Sequence, residues 1–342
     1  MKEPRRSRRR FLSQAAAACG GLALWRCVTA SPDSPPEKLS ERPAQIAITL
    51  DLEMSRNFPR WEMTEWDYDK GNLDEDTKKY TVKACRRVAE RGGKIHCFAV
   101  GRTLEQPNIE WLKEIAKAGH PIGNHTYDHI NVLAKKPDEI QYRFRRSPWL
   151  LQGRPIPEVV ADNVRLATEA LKARAGIEAN GFRTPGGFAE GLRRREDLQK
   201  MFLAQGFRWV SSRYPQHIAA KAGERPDRKL LDDLVRAQQH AQPFVYPTGL
   251  IEIPMSPISD IGAFRTGRWE LDDFLKAIRV GVEWAIEHRA VFDFLAHPSC
   301  LGVIDPQCRT MDLICDLVQA AGQRARLVTL DQIAAQIPVE RR

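Results

Sequence analysis

Apolar and polar positions follow two rhythms along this chain. Short apolar runs, several ending in charged or polar residues, recur at 45–53 (QIAITLDLE), 94–101 (KIHCFAVG), 180–187 (NGFRTPGG), 207–212 (FRWVSS), 250–257 (LIEIPMSP) and 291–298 (VFDFLAHP). Runs of this length, bounded by glycine, proline and small polar residues, predict buried strands. Between them, apolar residues recur every three or four positions. That spacing predicts amphipathic helices over 74–92, 108–120, 161–176, 195–206, 270–290 and 311–324, then a short strand at 325–330 and a last helix at 331–338. Segments 133–160 and 213–247 are more irregular and are expected to be long loops. Strands alternating with helices predict a mainly parallel sheet covered by helices, open or closed into a barrel.

Composition adds little to this picture. Of the 342 residues, 42% are hydrophobic and 28% charged, which suits a globular core. The sequence pI of about 9.3 suggests a basic surface. Residues 1–30, however, hold seven of the Lys and Arg and only one acid, which leaves 46 basic against 43 acidic side chains in the remainder. A general nucleic-acid surface is therefore not expected. The N-terminus instead reads as an export signal: a basic stretch to Arg10, a short weakly apolar run from Phe11 to about Leu24, and small residues Val28-Thr29-Ala30 before Ser31. Ser7-Arg8-Arg9-Arg10-Phe11-Leu12 resembles the twin-arginine pattern, which implies the twin-arginine export machinery as a partner of the precursor. A periplasmic or extracellular protein with no membrane span after cleavage is expected. Residues 31–44 are proline-rich and read as a linker, with one catalytic domain over 45–338. Outside the signal there are five cysteines, with no CxxC pair. Buried free thiols are expected, and one Cys300–Cys308 bridge remains open.

In parallel α/β folds chemistry collects at the C-terminal ends of the strands. The polar residues at those places are Asp51 and Glu53, the pair His125 and His129, Arg183 with Pro185, and His297. Histidines four apart reach one ion if they share a helical face, and two histidines plus one carboxylate leave a coordination position open for catalysis. On a strand, positions i and i+2 point the same way, so Asp51 and Glu53 can face one site. Aromatic residues at 58–69, Trp61 among them, are candidates for a substrate groove or for packing under a loop.

The stretch GHPIGNHTYDHINV at 119–132 closely resembles the second motif of the polysaccharide deacetylase family, carbohydrate esterase family four, whose domain is the NodB homology domain. In order along the chain, ITLDLE resembles its acid-bearing first motif, FRTPGG its third, GFRWVSS its fourth, and FLAHP its last. The resemblance spans about 45–338. It implies a distorted (β/α)7-type barrel and a metal-dependent hydrolase that removes N-acetyl, or alternatively O-acetyl, groups from a carbohydrate polymer such as peptidoglycan, a chitin-like oligomer or an exopolysaccharide. It further implies His125 and His129 as metal ligands, Asp51 as general base, His297 as general acid, Arg183 as the residue that orients Asp51, and Pro185, Gly186 and Trp209 near substrate. The implied metal is a divalent ion, zinc first, with cobalt, nickel and iron compatible with the donor set. Two departures stand out. Leu52 occupies the position where the family has a second, metal-binding aspartate, so Glu53 is assigned as third ligand, with Asp51 as the rival. The fourth motif carries no acid to support His297, leaving Asp293, Asp260 and Asp305 as candidates. The spaced acids keep open hydrolysis of a C–N bond in a cyclic amide or ureide. An inactive sugar-binding protein on the same fold is the third alternative.

Overall fold

The computed structural model describes residues 42–64, 69–218 and 221–339. Strand β1 (Ala44–Leu52) lies inside the sheet, and all but one of its residues are buried. A strand covered on both faces needs such a continuous apolar run rather than an alternating one. Helix α1 (Glu75–Ala89) follows, capped by Asp74, whose side chain accepts from the Thr77 amide at 2.8 Å; acids lie in its first turn and arginines in its last. Next come β2 (Ile95–Ala99), α2 (Glu110–Lys117) and β3 (Ile122–Asn124). Then follow α3 (Ile156–Ala170), β4 (Phe182–Phe188), α4 (Glu196–Ala204), β5 (Trp209–Arg213) and α5 (Arg228–Gln239). The chain continues through β6 (Phe244–Val245), β7 (Ile251–Glu252), α6 (Leu271–Glu287) and β8 (Val291–Ala296). It closes with α7 (Pro298–Ile304), α8 (Arg309–Ala321), β9 (Ala325–Leu327) and α9 (Leu330–Ala334).

The strands form one sheet in the order β6-β7-β5-β4-β3-β2-β1-β8, with β9 beside the start of β1. Every pairing is parallel except β6 with β7. The sheet curls into an α/β half-barrel. Between the segment after β7 and β8, the Ser256 amide donates to the Asp293 carbonyl (3.0 Å), and the Asp293 amide donates to Ser256 Oγ (3.1 Å).

The two segments expected as loops contain helices. Residues 137–151 fold into short helical turns, α3 begins at Ile156, and α5 lies within 213–247. All five cysteines of the body are buried and free, so Cys300 and Cys308 form no bridge. No helix among the described residues is long and apolar enough to cross a membrane. The expected export signal at 1–30 and most of the expected linker lie outside the described residues.

Candidate active site

The C-terminal ends of β1, β3, β4 and β8 converge on one cavity of about 320 Å³. Asp51, Glu53, His125, His129 and His297 all line it. From β1, Asp51 and Glu53 both reach the cavity while Leu52 between them is buried in the core. Glu53 stands one residue past the strand, where its amide donates back to the Asp51 carbonyl at 3.0 Å. Ser299 braces this corner: its hydroxyl donates to the Glu53 carbonyl (2.9 Å) and accepts from the Ser55 amide (3.0 Å).

His125 and His129 are not on a helix, contrary to the expectation from their spacing. They sit on a loop after β3 in which Thr126 and His129 take positive φ values of 58° and 56°. That left-handed backbone is costly for residues with a Cβ and is held by side-chain bonds. Asn124 Oδ1 accepts from the Thr126 amide, Thr126 Oγ1 from the Ile130 amide, and Asn163 Oδ1 from the Asp128 amide. The loop brings both imidazoles to Glu53, with His129 Nε2 at 2.6 Å and His125 Nε2 at 3.5 Å from its Oε2. The other nitrogen of His125, Nδ1, lies 3.0 Å from the Arg183 carbonyl, so it carries the proton and Nε2 presents a lone pair. Burial pushes the His129 pKa down to about 4, which keeps it neutral at pH 7.

These three residues fit a small divalent cation. One donor atom from each of Glu53, His125 and His129 lies within 4.8 Å of the others. Glu53 Oε2 is buried without a hydrogen-bond donor to satisfy it, and such an oxygen between two imidazole nitrogens suits a cation. The other oxygen, Oε1, pairs with the buried ammonium of Lys70. Burial acts to raise the Glu53 pKa, but His129 and Lys70 outweigh it and hold the carboxyl well below its usual range. The sequence reading did not single out Lys70. Its only signal was a lysine beside a glycine at the close of the loop after β1.

Arg183 is fully buried on β4. Its guanidinium donates to Asp51 Oδ1 (3.2 Å), Thr49 Oγ1 (2.7 Å) and Ser211 Oγ (3.2 Å), pairs with Asp293, and lies 4.4 Å from the Phe98 ring centroid. Asp293 therefore serves Arg183. The acid beside His297 is Asp260, whose Oδ1 is 2.9 Å from His297 Nδ1 and whose Oδ2 accepts from the His297 amide at 2.7 Å. Burial alone would lower the His297 pKa; the Asp260 carboxylate outweighs it and raises it. Asp305 instead accepts from the Arg309 and Thr310 amides at the start of α8.

Of the expected substrate contacts, Gly186 lines the cavity with φ at +71°. Pro185 is buried and is not part of the cavity wall. Trp209 is a correction. It opens β5 and so sits at the far end of that strand from the site, where its indole donates to Asp331 (2.9 Å) and its ring packs edge-on to Phe98. Trp61 is 47% exposed, outside the cavity lining, with the Arg268 guanidinium 5.0 Å from its ring centroid.

Fold and donors together define an α/β half-barrel with a Glu-His-His group at the C-terminal ends of its strands. Within the chain, residues 66–201 match the family model described as polysaccharide deacetylase; this stretch contains His125, His129 and Arg183 but neither Asp51, Glu53 nor His297. A peptidoglycan-N-acetylglucosamine deacetylase of Bacillus cereus is 29% identical over 102 residues, covering 27% of this chain and 36% of that relative. The chain thus aligns with only about a third of the relative's length. Among solved structures, a Mycobacterium smegmatis protein assigned as a polysaccharide deacetylase shares the fold, with a TM-score of 0.58 at 16% identity over 90% of this chain and 93% of that one. A GH57 branching enzyme from Thermococcus kodakaraensis aligns with a TM-score of 0.50 at 10% identity, over 88% and 72%. Different activities on similar folds mean that function must be argued from the site.

Proposed function

We propose that this chain is a metal-dependent deacetylase of the polysaccharide deacetylase family, removing N-acetyl groups from an amino-sugar polymer. The observation that carries the reading is the meeting of Glu53, His125 and His129 in one cavity with Asp51 and the His297–Asp260 pair. A divalent cation held by the first three would act as a Lewis acid toward an amide carbonyl and a water. Asp51 takes the proton from the attacking water, and Arg183 fixes the orientation of its carboxylate. His297 hands a proton to the leaving amine from Nε2, since Nδ1 is committed to Asp260. Base and acid are thus separate groups, one on β1 and one just past the end of β8, as amide hydrolysis requires. Lys70 keeps Glu53 from turning away from the imidazoles. An export signal at residues 1–30 would put the substrate outside the cytoplasm, among peptidoglycan, chitin-like oligomers and exopolysaccharides.

Acetate release tests this. The zinc-loaded full chain should release acetate from peptidoglycan or N-acetylated chitooligosaccharides, and His125→Ala should not. Cation binding without acetate release from any acetylated glycan would move the weight to C–N hydrolysis in cyclic amides, which the one-residue spacing of Asp51 and Glu53 favours. No cation binding would leave a sugar-binding protein.

A further inference from the structure

One wall of the cavity has no part in that chemistry. Arg265 lines it, from the segment Ile261–Thr266 that begins just after Asp260. It is partly buried, and its guanidinium has neither a hydrogen bond nor an ion pair among the described residues. Arg56, exposed on the loop after β1 and next in sequence to the cavity-lining Ser55, is likewise unpartnered among the described residues, and its charge acts on Arg265. Burial first, then this like charge, lower the Arg265 pKa, against the more distant pull of the Asp260 and Glu53 carboxylates, which acts to raise it. Arg143, Arg225 and Arg309, by contrast, each have an acid: Asp128, Asp273 and Asp272. A partly buried guanidinium beside a second cation, with no ion pair of its own among the described residues, is stabilised by an added negative charge. The same two loops carry Arg268 and Trp61, stacked on each other and both exposed. A second cavity shares Tyr214, Gly262 and Thr266 with the first and extends to Trp269, giving room for a neighbouring sugar unit.

We infer that the glycan bound here carries an oxyanion, a carboxylate or a phosphate, on or next to the acetylated sugar, and that Arg265 with Arg56 reads it. Guanidinium forks match both oxyanions through paired hydrogen bonds. The inference rests on the deacetylase reading for its sugar, but not for its charge. Acidic glycans are therefore preferred over neutral chitin-like oligomers.

Titration calorimetry on the zinc-loaded full chain, run beside the acetate assay, tests this. The probes are tetra-N-acetylchitotetraose, a hyaluronan tetrasaccharide, its carboxyl-reduced form, and 6-phosphorylated tetra-N-acetylchitotetraose. At least one charged probe should bind tenfold or more tighter than its neutral counterpart, and the arm that does so distinguishes carboxylate from phosphate. The ratio should fall towards one in Arg265→Gln, and part of the way in Arg56→Gln. Equal binding of charged and neutral probes overturns the inference, as does a preference that survives both substitutions. Acetate release without charge preference sinks only this inference; charge preference without acetate release sinks only the deacetylase reading.

Discussion

Asp51 and Glu53 are two residues apart and hold different neighbours. Glu53 has the imidazoles and Lys70, whereas Asp51 has the Arg183 guanidinium, with His125 Nε2 farther off at 3.7 Å. Substitution should separate them. Asp51→Asn should retain cation binding and lose about 10²–10⁴ in kcat, the usual share of a general base. Asp260 touches His297 through both oxygens, so its loss both frees the ring and removes the charge that raises the His297 pKa. Asp260→Asn should cut kcat about tenfold or more, with KM changed less. The alkaline limb of the kcat profile should move to lower pH, because a weaker hold on the proton empties His297 earlier. An unchanged profile would detach Asp260 from the chemistry. At this scale the sequence was legible where a motif carried geometry, as in Asp51, His125 and Arg183. It was silent on Lys70 and could not choose Asp260 among three acids, because those contacts depend on how distant loops fold back.

Elements explain why these side chains hold still. Gly123 on β3 lies against Phe98 of β2, and a Cβ there would meet the ring at 2.5 Å. Phe98 in turn supports the Arg183 guanidinium. Gly123→Ala should therefore destabilise the protein by about 1–3 kcal/mol, the usual cost of overpacking, and reduce activity by tilting Arg183 away from Asp51. Denaturant unfolding and kcat check the two effects. The loop after β1 is pinned twice by Lys70: its carbonyl accepts from the Met54 amide, and its ammonium holds Glu53. Lys70→Met would strand a buried carboxylate, a loss of about 3–5 kcal/mol when one partner of a buried pair is removed. An unfolding midpoint equal to wild type would contradict that role. The strand–helix alternation was readable because buried parallel strands and amphipathic helices leave opposite periodicities. Helix α5 was missed although Leu230, Leu231, Leu234 and Ala237 share one face and Asp227 caps it; the surrounding charges obscured its period. The HxxxH pair misled in the other direction, since helical spacing was satisfied by a left-handed loop tied to Asn163.

Over the whole molecule, a buried histidine within the sheet sets an acid limit. His96 on β2 stacks on Phe98, and its Nε2 lies 2.9 Å from the Asn180 carbonyl. Burial pushes its pKa from 6.5 down to about 4. Between those values the unfolded chain binds a proton that the folded one refuses. Stability should therefore fall as pH drops from about 6.5 to about 4 and be unaffected by this group above 6.5. In His96→Gln the loss of stability over that window should be smaller in urea unfolding; an equal loss would assign the acid sensitivity elsewhere. The parallel order of the strands also directs Asp51, His125, Arg183 and His297 to one end of the half-barrel, and it sends Trp209 to the other. Strand direction, which a motif comparison does not weigh, made that difference. The proposed function depends on Glu53, with the two histidines, being the cation site, and on Asp51 not being it. Zinc titration by calorimetry on wild type, Glu53→Ala and Asp51→Asn measures it directly. One ion per chain is expected in wild type and in Asp51→Asn, and at least a hundredfold weaker binding in Glu53→Ala. Full-strength binding in Glu53→Ala with loss in Asp51→Asn would contradict it and exchange the roles of the two acids.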